Sequence, residues 1–79
     1  MENDTKEILL KLGQTLRKAR NQKKLTLLEL EVLTGISEGD ISKIENGKKN
    51  FAVTTLIKLI QGLDLPLSEL LADFFPSKK

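Results

Sequence analysis

Between Lys11 and Lys24 lie six basic side chains, Lys11, Arg17, Lys18, Arg20, Lys23 and Lys24, and no acid, whereas Glu29 to Asp40 holds four acids and no base. Clustered ammonium and guanidinium groups attract polyanions and can donate hydrogen bonds to phosphate oxygens or base edges. The net charge of the whole chain is only +2, so the arrangement of charge says more than its sum. Groups that make or break bonds are scarce. There is no His and no Cys, no glycine-rich phosphate loop, and no pair of carboxylates in an apolar setting. General acid–base, nucleophilic and metal-assisted chemistry therefore lack candidates, and the expectation is a non-enzyme that needs no metal and no cofactor.

A chain of 79 residues has room for one domain, expected to occupy 1–79 with a core over about 5–73 and short polar tails. A core this small, with neither disulfide nor structural metal to hold it, relies on close helix packing and on oligomerisation. The start, Met1-Glu2-Asn3-Asp4, lacks the basic and apolar stretches of a signal peptide, and no apolar run approaches the ~20 residues of a membrane span. A soluble cytoplasmic protein is expected, with no membrane partner and no small-molecule effector evident.

The elements that must position the basic groups read as five helices, an all-α fold. Ile8, Leu9, Leu12, Leu16 and Ala19 recur at helical spacing, predicting a first helix from about Asp4 to Gln22, with Asp4 or Thr5 as its cap and Gly13 either at a close packing point, the favoured reading, or a tolerated weakness. Thr26-Leu27-Leu28-Glu29 has the capping-box pattern, so a second helix starts at Leu27 with Leu27, Leu30 and Leu33 as its apolar positions and stops at Thr34-Gly35. Ser37, with Asp40 three residues on, opens a third helix with Ile41 and Ile44 on its apolar side; Asn46-Gly47 ends it and Lys48-Lys49-Asn50 continues as a basic loop. A fourth helix is expected over about Val53 to Gly62, with Val53, Leu56, Ile57 and Ile60 on one face and Gly62 as its stop. Pro66 then starts a fifth through Leu67, Leu70 and Leu71, before Pro76 and the lysine tail end the structure.

Two short helices joined through Thr34-Gly35-Ile36-Ser37 form a helix-turn-helix, a unit whose second helix can lie in the major groove of DNA while the first crosses the backbone. Several fragments then occur together: Leu12-Gly13, Leu16-Arg17, Arg20, Leu25-Thr26, Glu29-Leu30, Thr34-Gly35-Ile36-Ser37, Ile41-Ser42, Ile44-Glu45-Asn46-Gly47-Lys48, and a closing Leu63 to Leu71 segment. In this combination, over about residues 8 to 72, the chain resembles the lambda-repressor-like, Cro-type helix-turn-helix regulators, also called the xenobiotic-response-element family. In size it is similar to phage Cro-type repressors, antitoxins and the controller proteins of restriction-modification systems.

The resemblance implies a compact five-helix lambda-repressor-like DNA-binding domain, a transcriptional regulator that binds a roughly palindromic double-stranded operator as a homodimer. Its third helix would read bases through Ser37, Glu38, Gly39, Ser42 and Lys43. Lys43 can donate to guanine O6 and N7, Glu38 can accept from a cytosine amine, and Ser42 can bond either class. Phosphate contacts would come from Thr26, Asn46, Lys48, Lys49 and Asn50, and Arg20 with Glu45 would form a structural salt bridge. The homodimer interface would use Leu67, Leu70, Leu71, Phe74 and Phe75, whose apolar surface exceeds what a short terminal helix needs, unless a phenylalanine folds back onto the first helix.

Two positions depart from the family pattern. Leu27 stands where a glutamine commonly touches the backbone, and Glu31 stands where a small alanine lets the two helices approach, so Glu31 is expected to tilt them apart or lean into solvent. With Glu38 and Asp40 it adds negative charge near a polyanion. These acids motivate a second reading, a protein-interaction module that keeps the scaffold without binding DNA.

Overall fold

The computed structural model describes residues 2–72 and 74–75. They form five helices, α1 (Glu2–Gln22), α2 (Leu27–Thr34), α3 (Glu38–Glu45), α4 (Val53–Leu63) and α5 (Leu67–Leu70), with no strand among them. The expected stop at Pro76, the lysine tail and Asp73 lie outside the described residues. Helix α1 begins at Glu2, so Asp4 and Thr5 sit inside its first turns and do not cap it.

Each helix gives apolar side chains to one core. Leu16 and Ala19 come from α1, Leu30 from α2, Ile41 and Ile44 from α3, Leu59 and Leu63 from α4, and Leu70 from α5. A fully buried Leu or Ile side chain is worth about 1.5–3 kcal/mol relative to exposure, so this layer supplies the main drive to fold. Helix α1 packs on α3, α4 and α5, while α2 packs on α3 and α4.

Caps set the short helices. Thr26 Oγ1 accepts from Glu29 N–H at 3.0 Å and Glu29 Oε1 accepts from Thr26 N–H at 2.8 Å, the full reciprocal box. Gly35 closes α2 in the left-handed region at φ 79°, where a side chain would be strained. At the start of α3, Ser37 Oγ accepts from Asp40 N–H at 3.1 Å.

Four expectations change. Helix α4 runs one residue past Gly62 and is closed by Asp64 at φ 53°. Gly62 instead permits close approach of α2, since a Cβ there would lie 2.7 Å from Thr34 Cγ2. The buried side of α4 is Leu59 and Leu63, flanked by half-buried Leu56 and Ile60, while Val53 and Ile57 are exposed. On α2 only Leu30 is fully buried, and Leu33 faces outward. Ile8 of α1 is likewise exposed.

Candidate nucleic-acid interface

Helix α3 is held by one side and presents the other. Ile41, Ile44 and Glu45 are buried, whereas Ser37, Glu38, Gly39 and Lys43 are exposed and Ser42 is half-buried. The i, i+3, i+4 spacing of the buried three makes one stripe, which leaves the other face of the helix to solvent. A Cβ added at Gly39 would meet nothing within 4 Å, so no packing inside this chain calls for a glycine there.

The rotation of α3 about its axis is fixed from behind. Arg20 Nε donates to Glu45 Oε2 at 2.7 Å and Nη2 donates to Oε1 at 3.0 Å, while Nη1 donates to the Leu25 carbonyl at 2.8 Å. The hydrogen bond to Glu45 raises the Arg20 pKa above its ordinary value, burial opposes this, and the Coulombic attraction of Glu45 adds to it, so the guanidinium stays charged. Gly13 lets the two helices meet. A Cβ there would lie 2.6 Å from the Glu45 carbonyl oxygen and against that of Ile44 as well.

The loop after α3 folds back on the end of the helix. Asn46 Nδ2 donates to the Ser42 carbonyl at 2.9 Å, and Lys48 N–H donates to the Lys43 carbonyl at 2.9 Å. Asn46, Lys48 and Asn50 have exposed side chains, and Lys49 is half-buried with its Nζ 3.1 Å from Asp40 Oδ1. Thr26 is exposed at the start of α2; its oxygen serves the cap, which leaves its hydroxyl proton available to an acceptor. The Asp40–Lys49 pair joins residues assigned to separate roles by sequence reasoning, and nothing in their spacing announces it.

Residues 16–70 match the family model HTH_3, described as helix-turn-helix. This chain belongs to that helix-turn-helix family. It is 46% identical over 61 residues to the uncharacterized HTH-type transcriptional regulator RghRB of Bacillus subtilis strain 168, and 38% identical over 60 residues to the HTH-type transcriptional repressor RghR of the same organism. Those alignments take in 76% and 75% of this chain and 44% of each relative, so the chain spans less than half the length of these relatives. Among solved structures, the restriction-modification controller protein C.AhdI from Aeromonas hydrophila superposes with a TM-score of 0.74 at 34% identity, over 78% of this chain and 94% of its own. The all-helical, lambda-repressor-like fold of the HTH_3 family is thus the fold of this chain.

Within this helix-turn-helix scaffold, Glu31 has a partner across the turn. Its side chain is half-buried, and its Oε1 accepts from Glu38 N–H at 2.9 Å. Sequence reasoning singled out the acid at this position and missed its partner, which lies seven residues on, across the turn.

At the far end, the residues expected at a subunit contact separate into three groups. Leu70 is 1% exposed, in the core of this chain, and has no free surface to offer a second copy, which corrects its assignment. Leu71 and Phe74 are half-buried, Phe74 with Lys11 Nζ 5.9 Å above its ring, so this ring folds back on α1. Leu67 and Phe75 remain outward, Phe75 with 74% of its surface exposed.

Proposed function

We propose that this chain is a sequence-specific transcriptional regulator that binds a roughly palindromic double-stranded DNA operator as a homodimer in the cytoplasm. The observation that carries the reading is α3, anchored by Ile41, Ile44 and the Arg20–Glu45 clamp, with Lys43, Ser42, Gly39, Glu38 and Ser37 on its free side. A helix held this way can enter the major groove, where Lys43 donates to guanine O6 or N7 and Ser42 bonds donor or acceptor. Thr26, Asn46, Lys48 and Asn50 flank it as phosphate contacts, and Lys49 joins them once it leaves Asp40. Two copies joined through Leu67, Leu71 and Phe75 would set their α3 helices about 34 Å apart, one turn of B-form DNA. Regulation through DNA is in keeping with the regulator names of the relatives at 46% and 38% identity.

A second reading, a protein-interaction module on the same scaffold, is favoured by one observation: Glu31, Glu38 and Asp40 crowd the start of α3, and Asp40 takes up the charge of Lys49. Anisotropy titration against duplexes at several salt concentrations separates the two. A DNA-binding protein gives log K falling linearly with log salt, with a slope of about −0.9 per phosphate neutralised. An interaction module gives no salt-dependent binding to any duplex.

A further inference from the structure

Glu31 touches both sides of the helix-turn-helix turn. Its backbone carbonyl accepts from Gly35 N–H at 2.7 Å, closing α2, and its carboxylate accepts from Glu38 N–H at 2.9 Å, opening α3. No other side chain among the described residues hydrogen-bonds from α2 to α3. Within the turn, Ile36 N–H donates to Thr34 Oγ1 at 3.2 Å.

We infer that Glu31 is a positioning residue for DNA recognition, fixing the angle of α3 to α2 through Glu38 N–H while its charge keeps phosphate away from the start of α3. The inference rests on the DNA-binding reading above and deepens it. The first amides of a helix, with the positive end of its dipole, attract an anion. Here two of those amides already have partners: Glu31 serves Glu38 N–H, and Ser37 Oγ serves Asp40 N–H. The acids Glu38 and Asp40 stand in the same first turn. A phosphate gains little by seating at this end, so α3 meets the duplex through its outer side, where Ser42 and Lys43 sit. Phosphate-only binding, which carries no sequence information, is weakened, and the base-reading pose is held.

The two contributions separate by substitution. Glu31→Gln keeps an acceptor oxygen in the same place and removes the charge. Glu31→Ala removes both and leaves α2 with a residue that favours helix. Each is titrated with two duplexes, one selected by the wild-type chain from a random pool and one of scrambled sequence, while amide exchange at Glu38 is followed in the free protein. Glu31→Gln should raise affinity for both duplexes by a similar factor, about twofold to fivefold, and keep the Glu38 amide protected. Glu31→Ala should lower the selected-to-scrambled affinity ratio by about fivefold and speed exchange at Glu38. Equal ratios for the two variants would overturn the positioning role, and a fall in scrambled-duplex affinity with Glu31→Gln would overturn the charge role. A wild-type chain that selects no duplex overturns the DNA reading itself, and the exchange measurement then decides alone whether Glu31 holds α3.

Discussion

Arg20 grips Glu45 through two hydrogen bonds, at 2.7 and 3.0 Å, and thereby ties the last turn of α1 to the last residue of α3. Their side chains are only 12% and 5% exposed, so neither charge has ready recourse to water. Removing one partner strands the other. Glu45→Ala and Arg20→Ala are each expected to cost about 3 kcal/mol or more in urea unfolding, with the double variant well short of the sum. Additive costs would mean that the two side chains act separately.

Two of the helical glycines, Gly13 in α1 and Gly39 in α3, should respond in opposite directions to the same added methyl group. At Gly13 the methyl would press on the backbone carbonyls of Ile44 and Glu45, which cannot swing away, so Gly13→Ala is expected to destabilise by about 1–3 kcal/mol although alanine favours helix. At Gly39 the space is open, so Gly39→Ala should stabilise the free protein by up to about 1 kcal/mol. Thermal unfolding of the pair gives the comparison. Loss of operator affinity in a more stable Gly39→Ala would place a DNA surface against this position.

Lys43 and Lys48 are both exposed lysines, but the proposed roles differ. Lys43→Ala should relax discrimination at one base position by about 1–3 kcal/mol. Lys48→Ala should weaken all sequences similarly and reduce the salt slope by about one unit. Equal and sequence-independent losses in a binding-site library would contradict the assignment.

For the proposed homodimer, Phe75 and Leu70 make a control pair. Phe75→Ser should leave the unfolding midpoint at low concentration little changed and shift the sedimentation of concentrated protein toward monomer. Leu70→Ala should cost about 2–5 kcal/mol because it leaves a cavity inside the subunit. An unchanged association state in Phe75→Ser would remove that ring from the interface.

Much of the fold was legible because the punctuation is local. Thr26 with Glu29, Gly35, and Ser37 with Asp40 fix helix ends through groups three residues apart, and their geometry is as the sequence implied. Faces were harder to read. Helix α2 carries Leu27, Leu28, Leu30, Val32 and Leu33, apolar nearly all round, so periodicity alone could not show that Leu30 would be the buried one. On α4, a stripe through Val53 and Ile57 fits helical spacing as well as one through Leu59 and Leu63, and the positions of α1 and α2 decide between them. Glu31 and Lys49 found partners across turns, Glu38 N–H and Asp40, and such pairings depend on the angle between helices, which spacing does not encode.

The central claim is that the outer side of α3 reads base edges in the major groove. The most direct measurement uses a duplex selected by the wild-type chain, with each guanine in turn replaced by 7-deazaguanine, which deletes the N7 acceptor and leaves Watson–Crick pairing intact. A symmetric pair of positions is expected at which wild-type affinity falls by about tenfold while Lys43→Ala is indifferent. Affinity unaffected by any replacement, or reduced equally in both proteins, would contradict it.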